Sequence, residues 1–309
     1  MAWQAVVAAL PAIVGAGFVS GREVWVFFAG YGAQGEVLAG AAALLIGAGA
    51  WRLAGGRDIA HATGCWRVAL GLFSLVTLAA VLAALGSLGQ LRLGLPPWIV
   101  EAAAALLVAL GSSRGTAMLR RGQGLLLVLV IGLVALTAVV SLGHSGSPAT
   151  AKPLPLAALV GSVGYAAFNL ALAGDGIARS TAGLGAPGQR GALIGGLAAG
   201  LLLTLEAMAL ARFGGALGSV DLPLRQLAQA HGAGLAAAVD LAVALSAVSA
   251  AASFLQAAAE VFGGPWTVAG IAFATSTLGV QPIVDQGYPL MAAVASIWLV
   301  ATLRGERPK

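Results

Sequence analysis

The stretch VGAGFVSGREVWVFF, residues 14–28, decides how the fold is interpreted. It lies in the first hydrophobic run, yet three glycines interrupt the run and Arg22 and Glu23 place two charges in it. Charges inside a bilayer are costly and normally face partners or water. We therefore predict a broken helix, in which Gly15 to Ser20 leave the helical hydrogen-bond ladder and offer carbonyls and amides to a ligand. The half-helix that follows, starting near Gly21, would favour a carboxylate at its positive dipole end.

Composition assigns the chain to the membrane. Hydrophobic residues make up 60% of the 309 positions and charged residues 9%, and the mean hydropathy is +0.96. The apolar runs are separated by short connections, which leaves no room for a separate soluble domain. We predict a single membrane domain over 1–309. Its net charge of +5 has an explanation in membrane topology, and we expect no nucleic-acid partner.

Runs of about 20 apolar residues, with shorter runs allowed between neighbours, predict ten helices. In chain order we call them spans 1 to 10: Trp3–Phe28, Gln34–Leu53, Trp66–Leu91, Trp98–Gly111, Leu119–Leu142, Leu154–Ala178, Arg190–Phe213, Gly234–Phe262, Trp266–Gly279 and Gln286–Leu303.

Basic residues predict the orientation of these spans. With a cytoplasmic amino terminus, the inner side holds Arg52, Arg57, Arg67, Arg114, Arg120, Arg121, Arg179, Arg190, Arg304, Arg307 and Lys309. The outer side holds Arg92, Lys152, Arg212 and Arg225. This positive-inside bias supports an even number of spans with both termini in the cytoplasm.

Two sequence matches predict an internal repeat. VGAGFVSG (14–21) aligns with VGSVGYAAFN (160–169), and the short spans 4 and 9 begin with PPW (96–98) and GPW (264–266). Five spans per half, about 1–143 and 153–303, force the second half to enter the membrane upside down. The alternative is shared low-complexity composition, because 45 residues are glycine.

Span 6 resembles span 1 in character and is also predicted to be broken. It holds the single asparagine, Asn169, beside Tyr165 and Phe168. Asn169 either contacts a ligand or bonds to a neighbouring helix, and the aromatic rings either bind or pack. The substrate-binding residues we predict in spans 1 and 6 are Gly17, Phe18, Ser20, Gly21, Arg22, Tyr165, Phe168 and Asn169.

Several other charges have more than one interpretation. Arg22 binds a substrate carboxylate, replaces a second cation, or closes an outer gate with Asp285 or Asp240; alternatively it pairs with Glu23 or Glu36. The predicted gating residues are therefore Arg22, Glu23, Asp285 and Asp240. Carboxyls in apolar surroundings can carry protons, as Glu206 and Glu101 would, unless they lie near helix ends or pair locally. The segment 214–234 predicts a short amphipathic helix, either a lid or a surface helix.

At these motifs the chain resembles a known family. GAGFVSGRE, FFAGYG, GYAAFN, DLPL and GYPL (287–290) are similar to the YkvI-like bacterial membrane proteins of the amino acid/polyamine/organocation superfamily. The family has a glutamine where this chain has Arg22. The resemblance implies the all-α LeuT-type fold, ten transmembrane helices as a five-plus-five inverted repeat with spans 1 and 6 broken, and a location in the bacterial inner membrane.

The resemblance also implies a sodium ion between spans 1 and 8. Its ligands would be the carbonyls of Gly15 and Phe18 with the hydroxyls of Ser246 and Ser249, which are hard oxygen donors that suit sodium. Serine in an alanine-rich helix is also common packing material. Sodium would be the coupling ion, and no other cofactor is expected.

The leading functional hypothesis is a secondary active transporter, a sodium-coupled symporter of a small neutral amino acid or related zwitterion that works by alternating access. No Walker-type phosphate-binding motif is present to supply ATP energy. The alternatives are a proton-coupled transporter of amino acids or organic amines, through Glu23, Glu206 or Asp240, and a channel. We expect no enzyme, since the sequence shows no paired aspartates in adjacent spans, no HExxH and no serine–histidine set.

Overall fold

The computed structural model describes Val6, Phe18 and residues 20–55, 64–113, 117–143 and 156–303. Every regular element in these ranges is helical. The longer helices are α1 (Arg22–Phe27), α2 (Ala33–Gly55), α3 (Cys65–Leu93), α4 (Pro97–Ser113), α5 (Ala117–Ser141), α6 (Leu156–Thr181), α7 (Gly185–Phe213), α8 (Pro223–Ala230), α9 (Ala233–Phe262) and α10 (Pro265–Ser276). Two 3-10 turns, Ala29–Tyr31 and Gly215–Ser219, precede α2 and α8.

The last span has an irregular start. It runs through α11 (Val280–Pro282), a π-helical turn at Ile283–Gly287, and α12 (Tyr288–Leu303). The sequence predicted its beginning at Gln286, so the span starts six residues earlier than expected and its first part is not regular. π-turns are rare and occur often at functional sites, and this one carries Asp285.

Length and apolar composition allow several of these helices to cross a bilayer. Five long helices meet this condition: Ala33–Gly55, Cys65–Leu93, Gly185–Phe213, Ala233–Phe262 and Val280–Ala301. Shorter apolar helices lie at Pro97–Ser112 and Val128–Ser141. Exposed leucines such as Leu44, Leu107 and Leu201 suit contact with lipid, which does not penalise apolar surface. The chain is a multi-pass membrane protein.

The predicted bounds of spans 2 to 5 and 7 to 9 agree with the observed helices to within a few residues. The prediction that span 6 is broken is wrong, because α6 is continuous from Leu156 to Thr181. Its glycines serve close packing: a Cβ at Gly164 would lie 2.9 Å from the backbone oxygen of Ala292 on α12. Its polar side chains bond within the helix, as Asn169 Nδ2 does to the Tyr165 carbonyl at 2.9 Å.

In the described part of span 1 the helix is interrupted at Gly21, where the second half-helix was predicted to start. Phe18 and Ser20 are helical, while Gly21 has φ +78° and α1 restarts at Arg22. A positive φ is rarely adopted by residues with a side chain, so glycine allows the interruption. The Ser20 hydroxyl accepts a hydrogen bond from the Arg22 backbone N–H at 3.2 Å. Gly15 and Gly17 lie outside the described residues.

Helices α2 and α7 pack closely against each other. A Cβ added to Gly200 would lie 2.4 Å from the Cβ of Ala43, and one added to Gly196 would lie 2.9 Å from the Cα of Gly47. Small residues let membrane helices approach until their backbones touch. Helices α3 and α9 also pack extensively against each other, as do α6 and α12.

Candidate functional site

Two buried acidic residues, Glu23 and Glu206, lie beside the break in span 1. Glu23 lies two residues after Gly21 on α1, and Glu206 lies two turns before the end of α7. Glu206 is 0% exposed, and neither of its carboxylate oxygens has a hydrogen-bond partner among the described residues. The two carboxyl groups interact electrostatically. Burying two negative charges with so few partners is energetically costly. A proton or a bound cation at this site would remove that cost.

Aromatic side chains lie near this carboxylate pair. The Tyr288 hydroxyl lies close to Glu23 without a hydrogen bond of good geometry, and Tyr165 on α6 packs against Phe27, one turn after Glu23 on α1. The Tyr165 ring lies 5.1 Å from the ring of Phe27 and 5.1 Å from that of Phe28. The Tyr288 ring lies 5.2 Å from the ring of Phe168. These rings form an aromatic cluster near the carboxyl groups.

Arg22 does not neutralise the carboxylate pair, although it precedes Glu23 directly. Its guanidinium forms a two-point ion pair with Asp285, in which Nε donates to Oδ1 at 2.9 Å. The same guanidinium donates from Nη1 to the carbonyls of Gly218 at 2.7 Å and Val220 at 3.2 Å. The structure thus selects Asp285 over the predicted alternatives Asp240, Glu23 and Glu36. The guanidinium is engaged in these contacts and the side chain is 3% exposed. Arg22 therefore links α1 to the π-turn of the last span and to the loop before α8.

The contacts of Arg22 belong to a wider set that holds residues 215–230 over the carboxylate pair. We call residues 215–230 the covering segment. Ser87 Oγ on α3 donates to Asp221 at 2.7 Å, and Gln281 Nε2 donates to the Ser219 carbonyl at 2.9 Å. Arg225 lies 3.1 Å from Asp240 on α9, which also pairs with Arg92. Asp240, a predicted gating residue, therefore fixes α8 to α3 and α9.

Gly21 brings the broken helix and the covering segment into direct contact. A Cβ at this position would lie 2.7 Å from the backbone nitrogen of Leu224 and 3.2 Å from a carboxylate oxygen of Glu206. Leu224 is fully buried on α8. The covering segment therefore rests on the break itself, immediately above Glu206.

We expect Gly21→Ala to destabilise the protein by more than its backbone conformation alone requires. A left-handed φ costs an alanine about 1–2 kcal/mol, and the methyl group would in addition push against Leu224. Gly94→Ala is the matched control, because Gly94 has φ +65° and a Cβ added there would meet no heavy atom within 4 Å. Thermal unfolding in detergent, followed by tryptophan fluorescence, measures both variants. Equal losses would show that the contact with Leu224 has no energetic importance.

The remaining predicted site residues have these positions. Phe18 and Phe168 are buried. The Asn169 side-chain amide is engaged within α6. Ser246 is buried on α9 and its hydroxyl donates to the Val243 carbonyl at 3.0 Å, and Ser249 lies one turn later on the same helix. With Gly15 outside the described residues, the sodium ligand set stays a prediction.

Some residues of the site were missing from the sequence prediction. Glu206 was weighed there as a proton carrier but not placed in the site, although it is an isolated acid in LLLTLEAMAL (201–210). That isolation was the available signal. Tyr288 gave no comparable signal, since its position depends on the π-turn before it. Neither did the carbonyls of Gly218 and Val220, which any loop residue supplies.

A further buried acid, Glu101 on α4, lies apart from this site. It accepts a hydrogen bond from Ser276 Oγ at 2.9 Å, which joins α4 to α10. The described residues contain no group of three or more His, Cys, Asp and Glu side chains arranged to hold a metal ion.

Solved structures of known transporters share this fold. A histidine-to-alanine mutant of the Eremococcus coleocola manganese transporter matches with a TM-score of 0.57 at 14% identity, over 99% of this chain and 77% of that chain. The same transporter in complex with an aromatic bis-isothiourea substituted compound matches with a TM-score of 0.56, at 14% identity and the same coverage. No family model matches the chain, and no curated protein sequence matches it.

These comparisons correct the family expected from the sequence. The structural neighbours are manganese transporters, a different family from the YkvI-like and LeuT-type amino acid transporters, so that assignment is wrong. The motifs that suggested it are short and rich in glycine, alanine and phenylalanine. Such residues recur in membrane helices because they permit close packing, so a short match in them does not identify a family.

Proposed function

We propose that this protein is a secondary active transporter that exchanges protons for a small cation by alternating access. The observation that carries the proposal is Glu206: it is fully buried beside Glu23, at the break in span 1, and its carboxylate oxygens lack hydrogen-bond partners among the described residues. Ionisable groups inside membrane proteins are retained mainly along ion and proton pathways.

The geometry favours exchange over cotransport. Glu23 and Glu206 form the negative charge of the site, and the neighbouring Arg22 is occupied by Asp285 and the carbonyls of the covering segment. A cation that enters must replace the protons that the same carboxylates would otherwise hold. Competition for one site couples the two fluxes in opposite directions, because each can cross only when the other has left.

The arrangement of helices supports the proposed alternating access. We propose ten spans as a five-plus-five inverted repeat. Spans 2 and 7 would be equivalent, and they pack together as α2 and α7; spans 3 and 8 do so as α3 and α9, and spans 4 and 9 as α4 and α10. Contact between equivalent helices is the arrangement expected near a pseudo-two-fold axis. The solved structures compared above are of a manganese transporter, and manganese is itself a cation.

The orientation follows from the distribution of arginines. With both termini in the cytoplasm, the covering segment lies on the outer side, and the structure then represents a state closed to the outside. Substrate would leave toward the cytoplasm, after which breaking of the Arg22–Asp285 ion pair would open the outer side. We propose that it lies in this orientation in the bacterial inner membrane.

A sodium-coupled symporter of a neutral amino acid is the second candidate. Its support is Ser246, which is buried on α9 and whose hydroxyl oxygen retains acceptor capacity while donating to Val243. In that case Ser246 and Ser249 would be ligands of the coupling ion together with the carbonyl of Phe18.

Uptake into proteoliposomes separates the two candidates. Vesicles would be given an external mixture of amino acids, organic amines and manganese, under either an acid-inside pH gradient or an inward sodium gradient. Mass spectrometry of the washed vesicles identifies what enters. We expect cation uptake driven by internal acid and unaffected by sodium, well above protein-free vesicles, which report the passive accumulation of weak bases.

Sodium-driven uptake of a neutral amino acid that ignores the pH gradient would contradict proton exchange and favour the second candidate. Unitary currents in planar bilayers would instead identify a channel, because channels conduct far faster than an alternating-access cycle turns over.

A further inference from the structure

We propose that the site formed by Glu23, Glu206, Tyr165 and Tyr288 binds an organic ammonium ion; this rests on the proposed transport function and names its substrate class. The juxtaposition that carries the proposal is a fully buried carboxyl group without hydrogen-bond partners among the described residues, next to the break at Gly21 and near the aromatic rings that pack on α1.

The carboxylates supply the acceptors that an ammonium group needs. A primary ammonium has three N–H donors and no acceptor, and each Glu206 oxygen can accept without giving up another hydrogen bond within the described residues. Charge-assisted hydrogen bonds of this kind are about twice as strong as neutral ones. With one cation bound, the site retains one negative charge, which a proton on the second carboxyl can balance.

The rings supply the walls that carbon substituents need. Tyr288 on α12 lies close to Glu23, and Tyr165 on α6 packs against Phe27 and Phe28, which follow Glu23 in the chain. The Phe168 ring packs against Tyr288. Aromatic faces attract organic cations through their electron-rich surfaces and also remove apolar groups from water. An ammonium ion with alkyl or aryl substituents suits both the acidic side chains and the aromatic rings of this site.

A manganese ion fits the described residues less well. Divalent metal ions require about six ligands, and carboxylates, carbonyls and water suit manganese. Among the described residues, no group of three or more acidic, histidine or cysteine side chains could hold a metal ion. Aromatic walls also lower the number of oxygen atoms that can approach. The fold shared with manganese transporters would therefore carry a different cation here.

The test measures ligand-induced thermal stabilisation of the purified full-length protein in detergent. The probes are propylammonium and phenethylammonium chloride, the neutral alcohols propan-1-ol and 2-phenylethanol with matching carbon skeletons, and manganese chloride. Ligands that bind the folded state raise its unfolding temperature by mass action. We expect both amines to stabilise the wild type, and the alcohols and manganese to leave it unchanged.

Matched variants assign the effect to the site. Glu206→Gln should abolish stabilisation by the amines, and Tyr165→Leu should weaken their affinity roughly three- to thirtyfold through the lost ring. Tyr165→Phe keeps the ring and should bind nearly as wild type; monodisperse elution from a sizing column confirms that each variant is folded.

Three results would overturn the ammonium assignment: no amine stabilises the wild type, the alcohols stabilise it equally, or manganese does so in a Glu206-dependent way. The last result would leave the transport proposal standing with a metal substrate. Amine binding in detergent together with no uptake in proteoliposomes would instead overturn the transport proposal alone.

Discussion

Glu206→Gln is expected to abolish pH-driven cation uptake while leaving the fold intact. Glutamine has nearly the same size, so packing on α7 is preserved, but it can neither carry a negative charge nor release a proton. Losing one partner of a buried charge contact costs about 2–5 kcal/mol, which corresponds to a fall in cation affinity of roughly 30-fold or more. Initial rates of uptake in proteoliposomes, with and without internal acid, measure the loss.

The expected effect on stability separates this role from a structural one. In the wild type, Glu206 is buried with no hydrogen-bond partner among the described residues, so replacing it with a neutral amide removes an ionisable group from the interior and should not lower the unfolding temperature appreciably. Glu36→Gln, at the partly exposed start of α2, is the control and should transport as wild type. Retention of pH-driven uptake by Glu206→Gln would exclude this carboxyl from the coupling site.

Arg22→Ala is expected to release the covering segment from span 10 and expose the surface beneath it. The variant loses the ion pair with Asp285 and the donors to the Gly218 and Val220 carbonyls. A hydrogen bond from a charged group contributes about 1.5–3 kcal/mol. The Asp285 side chain is 38% exposed, so water compensates part of the loss of the ion pair. The equilibrium should shift toward a state open on this side.

Cysteine accessibility measures the opening. In a Cys65→Ser background, Leu224→Cys places a thiol at a fully buried position of the covering segment. A membrane-impermeant maleimide should label it slowly when Arg22 is present and several times faster in Arg22→Ala. Asp285→Asn should give a smaller increase, because the two carbonyl contacts remain.

A charge-reversed double variant, Arg22→Asp with Asp285→Arg, tests the ion pair itself. It should restore part of the slow labelling, since the pair is re-formed but the carbonyls of the covering segment have lost their donor. Equal labelling of the wild type and Arg22→Ala would contradict the role of this arginine as an outer gate.

The sequence predicts the positions of the helices well because each depends on a local property. Hydropathy and length place spans 2 to 5 and 7 to 9, and the run of glycine with Arg22 and Glu23 marks the break near Gly21. Span 6 was predicted wrongly because glycine has two uses, interruption and close packing. The position of α12 against Gly164 decides between interruption and close packing. That contact joins residues far apart in the sequence, so local sequence does not predict it.

The sequence predicts only the part of the site that follows from local properties. Arg22 and Asp285 are 263 residues apart, yet both appear among the predicted gating residues because a buried charge requires a partner. The partnership of Glu23 with Glu206 was missed, since it depends on how α1 and α7 cross. The contact between Tyr288 and Phe168 likewise depends on α12, which follows a π-turn that composition does not predict.

The backbone contact between α2 and α7 constrains how the molecule can change shape. Where glycines bring two helices together at Gly47, Gly196 and Gly200, few side chains lie between them to change rotamer and absorb sliding. Tightly packed elements of this kind move as one rigid body, with displacement concentrated at the hinges beside them. The α2–α7 pair would then move as one rigid body in the proposed transport cycle.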